Sequence, residues 1–256
     1  MMRFMVFCDL ENFRYSLKNC FQNHIDINFE RFHLCLFNKI VQLLNIKVHN
    51  PQFVRAYLYT GEYTDAQIDQ AKKHLNELPF QQKKAEAKIK DLETKLITAA
   101  NTEKERIKRE LQHERSNYFS PERVENLAME LEKAKLRQKA QAELFHSLGY
   151  VSFLELRTKP LKYSRKDLRF IQKGTDVQLA VDLVNFAHFN NYDCAIVCSG
   201  DLDLLESCRQ IKSLGKTVIL VSHKAQVSPI MIRESDYYLN LGNLTSDELK
   251  DMVVTN

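Results

Sequence analysis

Asp193-Cys194-Ala195-Ile196-Val197-Cys198-Ser199-Gly200-Asp201-Leu202-Asp203 decides the fold. An unbroken apolar run from Cys194 to Cys198 is bounded by turn-forming and acidic residues. Such a short run reads as a strand buried on both faces, as in a parallel sheet. Phe4–Cys8, ending at Asp9, and Thr217–Ser222 have the same character, and Tyr237–Leu241 is a fainter copy. Phe53–Tyr59 is aromatic-rich and is predicted to stop before Gly61. Tyr150–Leu156 alternates toward strand character. Between these runs, helical spacing predicts helices around 11–20, 32–44, 176–189 and 204–214. Leu44 closes the second pattern, and Val177, Ala180, Val181, Val184 and Ala187 mark one face of the third. Strands alternating with helices mean an α/β chain with a mostly parallel sheet.

The chain has 256 residues with only 6 Gly and 5 Pro, and no Gly lies between Gly61 and Gly149. Tight turns need glycine more than helices do, so long helices are expected there. From Phe80 to Phe145, Lys, Glu, Gln and Ala dominate. Ile89, Leu92, Leu96, Ala99, Ile107 and Leu111 form one stripe, with Glu103 falling on it as a misfit. Ser120 and Pro121 read as N-cap and first residue of a second helix carrying Val124, Leu127, Leu131, Ala134 and Phe145. Two helices joined near 117–121 would make an antiparallel hairpin inserted in the α/β chain. The expected division is therefore 1–79 plus 146–256 for the α/β domain and 80–145 for the coiled-coil-like hairpin.

The totals exclude several classes. With 44% hydrophobic and 27% charged residues, the chain is not disordered throughout. A net charge of +4 says little about partners by itself. The 6 Cys contain no C-x-x-C pair and mostly sit in apolar runs, so reduced thiols and a cytoplasmic location are expected. No leader pattern and no membrane-length apolar run is present, and no membrane partner is expected.

In an open parallel sheet, ligands bind beyond the carboxyl ends of the strands. Asp9-Leu10-Glu11-Asn12 and Asp201-Leu202-Asp203 follow two such strands, and Asp176 opens a helix behind Gly174. Converging carboxylates repel unless a hard cation neutralises them, and oxygen ligands suit Mg²⁺ or Mn²⁺. Asp9, Asp176 and Asp201 also precede helices and could be plain N-caps. Asp203 is harder to explain that way, because Asp201 would already fill the capping role.

Phe7-Cys8-Asp9-Leu10-Glu11-Asn12 resembles the opening D-x-x-N motif of the NYN family, the LabA-like branch of the PIN-like ribonucleases. Lys173 through Asp182 resembles that family's K-G-x-D-v-x-L-x-x-D segment. Ser199-Gly200-Asp201-Leu202-Asp203 resembles its S-G-D-x-D motif, with Leu202 where Ser is common. Gly215-Lys216-Thr217-Val218 resembles its next strand entry. The likeness covers about 1–65 and 150–242. It implies a three-layer PIN-like Rossmannoid sheet and a metal-dependent ribonuclease that leaves 5′-phosphate and 3′-hydroxyl ends. Asp9, Asp176, Asp201 and Asp203 would hold the metal. Asn12 would orient the site or the scissile phosphate. Glu11, Ser199 and Asp182 would support it.

A basic segment precedes Asp176: Arg157, Lys159, Lys162, Arg165, Lys166, Arg169 and Lys173, with Tyr163 and Phe170 interleaved. Basic groups neutralise phosphates and aromatics stack on unpaired bases, so Lys159, Lys162, Arg165, Lys166, Arg169 and Lys173 are candidate RNA contacts. A solvated loop is the plainer alternative. The mixed-charge hairpin reads as structural, as a homo-oligomer contact, or as an arm for a protein partner. The rival to a ribonuclease is a non-catalytic RNA-binding or scaffold protein that keeps the fold. A phosphatase is disfavoured, because Asp9 is followed by Glu11-Asn12 rather than by a D-x-D-x-T/V start.

Overall fold

The computed structural model describes residues 1–21, 25–43, 50–118 and 121–255; Leu44 and Ser120 lie outside them. The strands are β1 (Met2–Asp9), β2 (Ile25–Ile27), β3 (Pro51–Glu62), β4 (Leu154–Pro160), β5 (Lys162–Ser164), β6 (Arg169–Ile171), β7 (Cys194–Cys198), β8 (Thr217–Ser222), β9 (Tyr237–Asn240) and β10 (Val253–Thr255). The helices are α1 (Leu10–Lys18), α2 (Phe32–Leu43), α3 (Asp65–Thr98), α4 (Asn101–Asn117), α5 (Pro121–Leu148), α6 (Thr175–His188), α7 (Leu205–Ser213), α8 (Pro229–Glu234) and α9 (Ser246–Leu249). Two compact units result: residues 1–62, 141–159 and 172–256, and residues 63–140 and 160–171.

The first unit is built on a six-stranded sheet of order β4-β3-β1-β7-β8-β9. The β1–β3, β1–β7, β7–β8 and β8–β9 pairs are parallel. Numbered by appearance in this sheet, its strands run 3-2-1-4-5-6, and the order reverses between β1 and β7. Period-two alternation sends successive side chains to opposite faces. Phe4, Val6 and Cys8 of β1 join one core, with Phe13 and Leu17 of α1 and Phe32, Leu36 and Ile40 of α2. Met5 and Phe7 join the other, with Tyr57, Tyr59, Leu179, Leu183, Ala195 and Val197. Helices therefore cover both faces of the sheet, as a parallel sheet requires.

Several local expectations shift. β3 runs through Gly61 to Glu62, past its last β1 partner at Tyr59. β4 begins only at Leu154, after a turn in which Phe153 takes a left-handed φ of 61°. The buried face of α6 is Thr175, Leu179, Leu183 and Ala187, while Val177 and Val181 are 65% and 50% exposed. The predicted valine face is thus largely outside, since the leucines at i,i+4 spacing take the core side. The short antiparallel β2–β10 pair joins segments far apart in sequence and leaves no local pattern to read.

In the second unit, the predicted two-helix hairpin is three helices, and the fold-back lies at Ala99-Ala100 rather than near 117–121. The stripe closes on itself: Leu92 of α3 packs with Ile107 and Leu111 of α4. Lys88–Glu114, Glu93–Arg115 (2.6 Å) and Glu86–Tyr118 (3.0 Å) link the same two helices in antiparallel order. Glu103, the misfit on a single-helix stripe, sits in the first turn of α4, just past the break. α3 passes through Pro79 without interruption, so no element ends at 79/80. Ile68, Ala71 and Leu78 of α3 pack with Leu127 and Leu131 of α5 and with Tyr163 and Leu168.

A candidate acidic active site

β1 ends at Asp9, and its alternation puts that residue on the face of Met5 and Phe7, where α6 lies. Cys8 pairs with Cys198, so Asp9 and Ser199 leave the sheet side by side at the strand-order reversal. Such a reversal opens a crevice at the carboxyl edge. Ser199 is fully buried, and its Oγ accepts from the Asp201 N–H at 3.2 Å. Gly200 is obligatory for steric reasons: a Cβ there would stand 2.8 Å from Val227 Cα and closer still to the Gln226 carbonyl oxygen. Asn12 Oδ1 accepts from the Gly200 N–H at 3.1 Å and ties the two acidic loops together. Gly174, with φ +83°, turns the chain into α6 and places Asp176 in its first turn.

The four aspartates divide by role. Asp9 Oδ1 accepts from the Asn12 N–H at 3.1 Å and caps α1, and Asp201 Oδ1 accepts from the Asp203 N–H at 3.1 Å. The capping expectation therefore holds for these two, each through one oxygen. Asp176 is no cap, because Gly174 occupies that position. Asp203 carries its carboxylate in the short 3-10 turn after Asp201.

Their electrostatics show that they are neighbours. Asp9 is 6% exposed, and burial pushes its carboxyl up to about 7; Asp176 pushes the same way, against the opposing Asn12 N–H. Asp176 is also raised, first by burial and then by the charge of Asp201, with Asp203 adding to it. Asp9 offsets part of the rise at Asp176, which places the two carboxyl groups within reach of each other. Among the described residues, none of the four makes an ion pair with Lys or Arg.

The donor chemistry fits a hard divalent cation: carboxylate oxygens, one of them nearly buried and raised by that burial to about 7. The buried Thr175 Oγ1 beside Asp176 lacks a partner. The side chains as they lie do not yet enclose an ion: among the described residues no three His, Cys, Asp or Glu form a metal-holding group.

The supporting residues also take definite places. Asp182 Oδ2 accepts from the Tyr59 hydroxyl at 3.1 Å, anchoring α6 to β3 behind the acids. Tyr59 was not foreseen; its place in an apolar strand gave no polar signal. Glu11 pairs with Arg14 at 3.7 Å. Lys159 and Lys173 are exposed in the first unit. Lys162, Arg165, Lys166 and Arg169 are exposed in the second. The interleaved aromatics are not free to stack on bases. Register opposes Tyr163 to Phe170, and their rings pack 5.6 Å apart. Phe170 meets Tyr63, and the Tyr163 hydroxyl meets His74 Nδ1 at 2.9 Å. Arg157 pairs with Glu155 at 2.7 Å and lies over the Tyr57 ring.

Residues 124–242 match the model of the NYN domain family. The match takes in Asp176, Asp201 and Asp203 and begins within α5, whereas the likeness seen in the motifs starts at β1. A search of curated proteins found no match. Among solved structures, the chain is similar to a protein of unknown function from Vibrio parahaemolyticus. Identity is 14% over 99% of this chain and 96% of that one, with a TM-score of 0.48.

Proposed function

Because this chain belongs to the NYN family, within the PIN-like superfamily, we propose that it is a divalent-metal-dependent ribonuclease. One observation carries the reading: Asn12 ties the Asp9 and Asp201 loops together at the sheet's switch point, and among the described residues no Lys or Arg pairs with Asp9, Asp176, Asp201 or Asp203. Asp176 and Asp203 would offer their carboxylates, and Asp9 and Asp201 the oxygens their caps leave free. A bound Mg²⁺ or Mn²⁺ would supply charge neutralisation for the phosphate and a water of lowered pKa. Asn12, through the Gly200 N–H, holds the Asp9 and Asp201 loops at fixed separation. Tyr59 and Asp182 hold α6, and with it Asp176, against β3. In the hydrolysis, water oxygen joins phosphorus, the P–O3′ bond breaks and O3′ leaves as a hydroxyl.

Exposed Lys159, Lys162, Arg165, Lys166, Arg169 and Lys173 would meet RNA phosphates. Exposed Phe80 and Ile97 of α3 would serve a second copy or a protein partner, which solution mass measurement would reveal. The free thiols, of which Cys8, Cys194, Cys198 and Cys208 are buried, would suit a reducing cytoplasm.

Labelled single-stranded RNA incubated with Mn²⁺ should be cut by the wild type and not by Asp176→Asn. A second reading, a non-catalytic RNA-binding protein, is favoured by the lack of a ready three-carboxylate grouping among the described residues. Binding without cleavage, on a broad RNA panel with either metal, would establish that reading instead.

A further inference from the structure

A cavity of about 710 Å³ opens against α6 beside the acids. Its wall is Val177, Val181 and Val184, with Ala180 between them, and Asp176 and Asp203 stand in the same lining. Lys173 belongs to the same lining. Val177 and Val181 are 65% and 50% exposed, although they sit on a helix whose core face is already formed by Thr175, Leu179, Leu183 and Ala187. Apolar β-branched residues left in water beside a charged cluster contribute nothing to the core and can cover an apolar ligand face.

We propose that this cavity binds the base of the nucleotide whose phosphate lies at Asp176 and Asp203, and that it selects unpaired RNA; the inference rests on the ribonuclease reading for the position of that phosphate. A peptide side chain would explain the valines but not their continuity with two carboxylates and a lysine. A nucleotide explains both, with an apolar face for Val177 and Val181 and an anionic phosphate for Lys173 and a cation held by the acids. A duplex hides its base faces in the stack and could not fill the cavity. The contacts come from aliphatic side chains, so they read no Watson–Crick edge and tolerate any base. Gln172, also in the lining, accepts the Gly61 N–H on Oε1 at 3.1 Å and keeps its amide NH₂ as a donor for a ribose oxygen.

The test uses the full chain with Ca²⁺ as the neutralising cation. It compares binding of labelled oligouridylate with binding of an abasic ribose-phosphate strand of equal length. The wild type should prefer the strand with bases by about tenfold. Val181→Asn should erase most of that preference while binding the abasic strand like the wild type. Val181→Ile should restore it. Val181 is half exposed, and both variants should melt with the wild type. Equal binding of the two strands by the wild type, or an undiminished preference in Val181→Asn, overturns the proposal. Cleavage is scored separately with Mn²⁺: a base preference at Val181 without any cleavage removes the ribonuclease reading and leaves the base site standing.

Discussion

The two ends of the central sheet handle carboxylates in opposite ways. At the amino ends, Asp193 before β7 takes a forked pair from Arg3 of β1, with Nε at 3.1 Å and Nη2 at 2.8 Å. Asp236 before β9 accepts the Val218 N–H at 2.8 Å and pairs with Lys212 at 3.2 Å. Arg3 holds the Asp193 carboxyl below the ordinary range. At the carboxyl ends, Asp9 and Asp176 are raised by burial and by one another's neighbours. The first arrangement stitches strands together. The second stores repulsion that a cation or a proton relieves, as active sites commonly do.

The largest effect expected from this contrast is on catalysis. Asp201→Asn should lower Mn²⁺-dependent RNA cleavage by about a hundredfold or more, whereas Asp193→Asn should leave the rate of the folded enzyme near wild type. Rates measured at a temperature where both variants are folded check this. Equal losses in the two variants would mean that the ends do not differ in the way argued.

Stability should move in the opposite sense. Burial raises the Asp9 carboxyl to about 7 in the folded chain, against an ordinary value of 3.8 when unfolded. Between those values the folded state binds more protons, so this group's contribution falls as pH rises. Asp9→Asn removes that slope and can still accept the Asn12 N–H. Without metal, the variant should therefore be more stable than wild type by roughly 2–4 kcal/mol at pH 8, with the gain fading toward pH 4. Denaturant melts at the two pH values decide it. The same variant should lose the wild type's thermal shift on adding Mn²⁺. Gly200→Ala acts through packing: its Cβ would meet the backbone of Gln226 and Val227. A loss of about 1–3 kcal/mol is expected, seen as a lower denaturant midpoint.

What could be read in the sequence follows the same division. β7 and β8 match their predicted runs residue for residue, because burial on both faces keeps Cys194–Cys198 and Val218–Val221 unbroken by charged residues. The positions of Asp9, Asp201 and Asp203 could be read because they follow buried strands, and that of Asp176 because it follows the Gly174 turn into α6. Neither the valine face nor the helical fold-back was legible. Both faces of α6 are apolar, and only tertiary packing chooses Leu179 and Leu183 over Val177 and Val181. The turn at Ala99-Ala100 has neither Gly nor Pro, and its one sign was the misplaced Glu103. The burial that lifts Asp9 depends on β1, α1 and α6 meeting at one edge, which no local pattern encodes.

The smallest effect tests the stitched end alone. Arg3 and Asp193 are about one-third exposed, so solvent screens their attraction, yet the fork and the backbone bond from Arg3 N–H to Asp193 Oδ2 at 2.8 Å fix its geometry. Asp193→Asn should cost about 1 kcal/mol at pH 7. Because the folded carboxyl is depressed, its contribution is complete above the unfolded value and is lost as pH falls through the folded one. The wild type and Asp193→Asn should thus converge in acid after differing at neutrality, with the wild type the more stable. Asp9→Asn should converge in acid from the other side, with the variant the more stable. Opposite signs at neutral pH, merging at low pH, are what one sheet with a paired end and an unpaired end must give. Equal signs would mean that Asp9 has a positive partner in solution and that its end of the sheet is stitched as well.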